Sequence, residues 1–195
     1  MRGAVSRLDR DFYARSPLEV APELLNKILV APGASGRIVE VEAYTGADDP
    51  ASHTFRGETP RNRTMFGPAG LLYVYFTYGM HWCANAVCGP PGDGVAVLIR
   101  ALEALDGLDL MRYRRIAARR DRDLCNGPAK LCQALAISGD HDGVDLTAPE
   151  GGLWIGHDGV EPPTAPAVGP RVGISRATDR PYRWWIPGNE YVSRP

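Results

Sequence analysis

Residues 37–44, RIVEVEAY, alternate in hydropathy. A strand with a period of two puts Glu40, Glu42 and Tyr44 on one face and Val39, Val41 and Ala43 on the other. Same-face neighbours on a strand lie ~7 Å apart, close enough for two carboxylates to raise one pKa, which suits a general base. The same pattern also suits a solvated strand face with two ordinary glutamates, and the strand by itself favours that plainer reading. In residues 71–78, LLYVYFTY, Tyr73 and Tyr75 share a face and Tyr78 falls on the opposite one, at the strand end beside Gly79. Aromatic residues are common in strands and ordinarily pack a core. A tyrosine at a strand tip next to glycine is a poorer core candidate and a better wedge between stacked bases.

Cationic and amide groups lie between and after these strands. Arg56, Arg61 and Arg63 crowd one stretch of eight residues, RGETPRNR. They suit either a solvated loop or phosphate contacts beside an acidic, aromatic site. His53 in the same loop suits a structural hydrogen bond better than catalysis. In Asn126-Gly-Pro-Ala-Lys130, Asn126 reads as an N-cap with Pro128 and Lys130 in the first turn, a plausible phosphate site at a helix N-terminus.

The elements that must position these residues are short. Residues 10–30 have apolar positions at helical spacing, with Ser16-Pro17 as a start signal. Strands are expected over 37–44, 71–78, 80–88 and 95–102, and closing strands over 171–175 and 182–187. Residues 106–122 read as a helix dense in arginine, and a shorter helix runs from Asn126-Gly-Pro128 to about Leu135. Residues 45–70 and 150–170 read as loops, and a loop as long as the first is usually functional or disordered. With 22 glycines and 17 prolines, turns are frequent, and the fold class expected is α+β rather than a helical bundle.

A chain of 195 residues suffices for one well-packed domain, taken here as residues 1–195. The net charge of −1 does not mark an obvious polyanion binder, although of the 22 basic residues only Lys27 and Lys130 are lysines. High genomic GC content produces that bias without a functional cause; arginine also suits bidentate phosphate contact. The first residues hold no apolar signal segment, and no run approaches the ~20 apolar residues of a membrane span, so a cytoplasmic protein is expected. There Cys83, Cys88, Cys125 and Cys132 stay reduced. Their spacings miss the paired C-x2-C zinc pattern, and buried free thiols are expected rather than a metal site. The phosphate-binding, dinucleotide and serine-hydrolase motifs are absent, as is the zinc-deaminase pairing, so no cofactor is implied.

Long blocks of the sequence resemble the alkyladenine (3-methyladenine) DNA glycosylase family. They are IVEVEAYTGADDPASHT (38–54), TPRNRTMFGPAGLLYVYFTYGMHWCANA (59–86), VLIRALEALDGL (97–108) and NGPAKLCQALA (126–136), followed by RVGI and WWIPGNEYVSR in the tail. The likeness covers nearly the whole chain from about residue 8. It implies a single α+β domain around a curved antiparallel sheet with flanking helices, distinct from the helix–hairpin–helix fold. The activity implied is hydrolysis of the N-glycosidic bond of alkylated or deaminated purines flipped out of double-stranded DNA, by a monomer without lyase activity.

The resemblance also implies roles. Glu42, rather than Glu40, activates water, and Arg100 helps to hold it. Tyr44 and Tyr75 stack on the extruded base, His53 contacts it, Asn85 lies against the purine edge and excludes the guanine amino group, and Ala51 belongs to the same pocket. Tyr78 intercalates, with Met80 beside it, and Arg56, Arg61, Arg63 and Lys130 meet the DNA backbone. Mammalian-type members have an aromatic residue where this chain has His81, a bulkier one at Ala84, and one more residue in the loop after the histidine. These differences touch the pocket rim and the minor-groove side. The other functions considered are a non-catalytic nucleic-acid-binding module and a small-molecule hydrolase with a tyrosine-lined acidic pocket.

Overall fold

The computed structural model describes residues 4–77, 79–148 and 152–193. The strands β1 (Ser6–Arg7), β2 (Ile28–Ala31), β3 (Ala34–Tyr44), β4 (Leu72–Thr77), β5 (His81–Cys88), β6 (Val95–Asp106), β7 (Trp154–His157), β8 (Ala167–Gly169) and β9 (Arg183–Trp185) join in one sheet. Every strand pairing in it is antiparallel. The main path is β1-β7-β2-β3-β6-β5-β4, and β9 joins β3 alongside the end that β2 leaves free. The helices α1 (Arg10–Tyr13), α2 (Pro17–Leu24), α3 (Leu108–Arg114) and α4 (Pro128–Leu135) complete the α+β fold expected.

The two faces of the sheet are chemically different. Val41 and Ala43 of β3, Leu72 and Val74 of β4, Ala84 and Ala86 of β5, and Val97 and Ile99 of β6 belong to the main apolar core with Val20 and Leu24 of α2 and Leu131 and Leu135 of α4. The intervening residues Glu42, Tyr44, Tyr73, Tyr75, Cys83, Asn85 and Leu98 therefore point the other way, as strand alternation requires.

Two bulges modify that alternation in the middle of the sheet. Ile38 pairs with Leu102, Glu40 with Ala101 and Val41 with Ile99. Val39 is thus the extra residue on β3 and Arg100 the extra residue on β6. Val39 leaves the main core and packs with Ala101 and Val192, so the expected grouping of Val39 with Val41 and Ala43 is corrected. A bulge inserts one unpaired residue and re-aims its neighbours. Here it keeps Glu40 and Arg100 on the side of Glu42.

The helix expected over 10–30 is two helices and a strand. Ser16 caps α2 by accepting from the Leu18 N–H, with Pro17 in the first turn, but the chain turns at Asn26 (φ 68°) and Ile28–Val30 lie between β3 and β7. Ile28 and Leu29 continue a helical apolar spacing, yet both are buried as a central strand is. The expected helix over 106–122 stops at Arg114, because the following residues offer no apolar face to bury. Arg112 pairs there with Asp121, and Arg120 with Asp123. Residues 150–170 contain β7 and β8 rather than loop alone, whereas 171–175 is not a strand. The strands expected over 71–78, 80–88, 95–102 and 182–187 and the helix ending at Leu135 are present within a few residues.

Candidate active site

The site begins on β3. Glu42 is fully buried. Its Oε1 accepts from the backbone N–H of Val172 at 2.7 Å and faces Arg100 Nη1 at 3.2 Å; its Oε2 accepts from the Tyr44 hydroxyl at 2.9 Å. Arg100 also donates through Nε to Glu40 Oε1 at 3.0 Å. One guanidinium is thereby shared by two buried carboxylates. Burial pushes the Glu42 pKa up, Glu40 adds to that, and Arg100, the Val172 N–H and the Tyr44 hydroxyl hold it back; the net direction is upward. A carboxylate raised in this way is a stronger base than an exposed one.

Tyr44 and Arg100, both in contact with Glu42, line a cavity of about 600 Å³. Its walls also carry Ala51, His53, Tyr75, Cys83 and Asn85, with Val172 to Arg176 on the tail side. Tyr75 stacks with Tyr73 (centroids 5.6 Å) and meets His53 edge-on (4.4 Å). The Tyr73 hydroxyl lies 3.2 Å from His53 Nδ1. Partial desolvation at the cavity wall and the nearby Arg61 lower the His53 pKa, which favours the neutral imidazole. Burial raises the Tyr75 and Tyr44 hydroxyls and the Cys83 thiol, which therefore stay protonated. Asn85 pairs with Tyr73 across β4 and β5, and its amide donates to the Tyr73 carbonyl at 3.1 Å.

The loop bearing Ala51 and His53 contains no strand, and polar side chains hold it in place. Asp49 accepts from the N–H groups of Thr45 and Ala51 and receives both arms of Arg171, which also donates to the Ala43 carbonyl. The Arg171 guanidinium lies 4.6 Å from the Tyr44 ring centroid and precedes Val172, the Glu42 donor. Asn62 donates to the carbonyls of His53 and Gly57 and accepts from the Thr59 N–H. Thr54 donates to the Gly94 carbonyl at 2.6 Å. Gly94 has φ +65°, and a side chain there would meet Thr54 and Phe66. Asp49, Asn62, Arg171 and Val172 are the structural residues that motif reading did not single out. All four lie inside quoted blocks but are not distinguished there from their neighbours.

The expected DNA contacts are more scattered. Arg56 is exposed on the cavity rim. Arg61 donates to the Phe76 carbonyl at 2.8 Å, and Arg63 pairs with Glu58 on the surface. Lys130 donates to Asn126 Oδ1 at 2.7 Å. Asn126 is therefore not the N-cap of α4; Gly127 is, with no side-chain cap. Met80 is 68% exposed at the β4–β5 tip, and Tyr78 lies outside the described residues. Cys83, Cys88, Cys125 and Cys132 are buried free thiols.

A family model described as methylpurine-DNA glycosylase matches residues 11–190. The chain belongs to this family. A Burkholderia lata protein named “Putative 3-methyladenine DNA glycosylase” is 62% identical over 194 residues, covering 99% of this chain and 93% of the relative. Proteins of the same name from Rhodopseudomonas palustris (BisB18) and Streptomyces avermitilis are 50% and 48% identical, covering 97% and 95% of this chain and 92% and 90% of themselves. The chain is accordingly a DNA glycosylase, a hydrolase of DNA repair whose substrate is DNA. No helix among its described residues is long and apolar enough to cross a membrane. For a methylpurine-DNA glycosylase, the cavity, the aromatic walls and the buried carboxylate lie on the same face of one sheet.

Proposed function

We propose that this glycosylase hydrolyses the N-glycosidic bond of alkylated purines, 3-methyladenine and 7-methylpurines foremost, after the damaged nucleotide has left the duplex stack. The observation that carries the reading is Glu42: a fully buried carboxylate of raised pKa, immediately behind the Tyr44 wall of an aromatic cavity. Extrusion costs a few kcal/mol, least for a damaged or mispaired base. Stacking on Tyr44 and Tyr75 offsets it, at about 1–3 kcal/mol per aromatic contact. Tyr78 and Met80 fill the gap left in the duplex, and Arg56, Arg61, Arg63 and Lys130 contact its phosphates. Aromatic faces attract positive charge, which favours an N-alkylated purine over its neutral parent.

Bond cleavage sends the electron pair to the base, which leaves neutral if it entered as a cation, and positive charge develops on the sugar. Glu42 stabilises that charge and takes a proton from the water that attacks the sugar carbon. Oε1 already accepts two donors, whereas Oε2 accepts only the Tyr44 hydroxyl among the described residues, so Oε2 has a lone pair for the water. His53 acts as a neutral hydrogen-bonding group and Asn85 opposes the guanine edge beside Ala51. No lysine is among the described residues lining the cavity, which supports a monofunctional enzyme without a Schiff-base step. The enzyme works as a cytoplasmic monomer on double-stranded DNA.

The test is to incubate the protein with duplexes carrying 7-methylguanine or 3-methyladenine, and separately hypoxanthine, and to measure free base and strand breaks before and after alkali. Free base with breaks only after alkali is expected, faster for the cationic lesions. Glu42→Gln is expected to keep DNA affinity and to lose about 100- to 10,000-fold in excision, the usual worth of a positioned base. Excision near the unmodified rate by Glu42→Gln would remove Glu42 from the mechanism.

A further inference from the structure

Glu40 has no part in the mechanism above, yet it is as deeply buried as Glu42. Its Oε1 accepts Arg100 Nε at 3.0 Å and lies 3.5 Å from Arg183 Nε; its Oε2 accepts the backbone N–H of Ser193 at 2.7 Å. Arg100 also reaches Ser193 Oγ at 3.4 Å. Arg100 is the bulged residue of β6, so the ladder alone does not fix its direction. Buried charge is costly unless paired and hydrogen-bonded. Glu40 would have no counter-charge on this face without Arg100 and Arg183.

We propose that Glu40 is a positioning residue for the glycosylase reaction: it anchors Arg100 by its Nε and ties it to the tail at Ser193, so that Arg100 turns one Nη toward Glu42 without being drawn wholly onto it. This rests on the reading that Glu42 is the base. Sharing matters because an arginine paired with a single carboxylate suppresses its basicity, whereas an arginine shared by two leaves a base that still takes a proton. The charged and titratable groups around Glu42 are Arg100 on β6, Glu40 and Tyr44 on β3, Tyr75 on β4, Cys83 on β5, Arg171 before Val172, and Arg183, its register partner on β9. Glu40 is the only other carboxylate of this set. Removing its charge lowers the Glu42 pKa, and removing that of Arg100 raises it.

The decisive measurement is the pH profile of single-turnover excision from a duplex carrying 7-methylguanine, with DNA affinity and folding stability measured alongside. Glu40→Gln is expected to lower the plateau rate roughly 10- to 100-fold, the scale of a catalytic group displaced by about 1 Å. It should also move the acid limb to lower pH and leave DNA affinity unchanged. Arg100→Gln should move the limb in the opposite direction. Glu40→Asp keeps the charge but shortens the reach, so its limb should stay in place while its plateau falls. If Glu40→Gln does not fold, Glu40→Asp decides the matter: an unchanged plateau overturns the proposal. So does a Glu40→Gln protein that loses stability alone, with rate and limb intact. The glycosylase reading fails separately, if Glu42→Gln excises normally.

Discussion

Two buried arginine–carboxylate groups draw their acids from one stretch of chain, Glu40 and Glu42 in the first and Asp49 in the second, and they behave differently. Arg171 faces one carboxylate, Asp49, which it grips with both arms while Thr45 and Ala51 donate to the same group. Arg100 faces two, Glu40 and Glu42. Burial acts to raise the acid in both places, but around Asp49 the arginine and the backbone donors win and its pKa falls, whereas around Glu42 burial wins and its pKa rises. The ingredients are the same and the proportion differs. Arg171 gives both arms to one acid and locks it, whereas Arg100 divides its guanidinium between two, the first of which also lies 3.5 Å from Arg183, and Glu42 is left a base.

The largest effect that would break this contrast is on stability. Asp49→Asn leaves Arg171 buried without its counter-charge, and breaking one partner of such a pair costs about 3–5 kcal/mol. Equilibrium urea unfolding should record a loss of that size; a loss below about 1 kcal/mol would mean that the Asp49 pair is not a lock.

The next effect separates the two groups by pH. Asp49, with its folded pKa below the unfolded value of about 3.9, stabilises the fold above that value and ceases to do so as pH falls through the lowered one. Glu42 must be ionised to act, and its raised pKa places the acid limb of excision above the ordinary glutamate value of about 4.3. Activity should therefore disappear on acidification while circular dichroism still reports a folded chain. Simultaneous loss of both would erase the distinction.

The smallest effect is that of Tyr44→Phe. It removes the 2.9 Å hydroxyl contact that helps to hold the Glu42 pKa down, so the acid limb should move slightly upward, within the roughly 1 kcal/mol of one hydrogen bond. The ring, and with it the stacking surface, remains. A downward shift would show that the hydroxyl does not favour the ionised form.

Much of the site was readable because strand alternation is strict. Glu42 and Tyr44, and likewise Tyr73 and Tyr75, could be assigned to shared faces without coordinates. Alternation failed at Val39, where a bulge needs no special residue and leaves no mark in RIVEVEAY. The helix over 10–30 overran because Ile28 and Leu29 continue an apolar spacing that a buried strand meets equally well. β7 and β8 escaped notice because short strands among glycines and prolines owe their existence to partners far away in sequence, Ile28–Val30 for β7 and Arg183–Trp185 for β8. Asp49 could not be told from Asp48: both are polar loop residues, and only the fold brings Arg171, 122 positions onward, to one of them. The choice of Glu42 over Glu40 came from family likeness, and the two differ in what surrounds them rather than in type or burial.

The contact between Glu40 and Ser193 spans 153 positions. A chain emerging from the ribosome makes β3 early and reaches Ser193 long after β6 has been synthesised. Until then Glu40 lacks the backbone N–H of Ser193 and Arg100 lacks its hydroxyl. Completion of this anchor is therefore a late event in the life of each molecule.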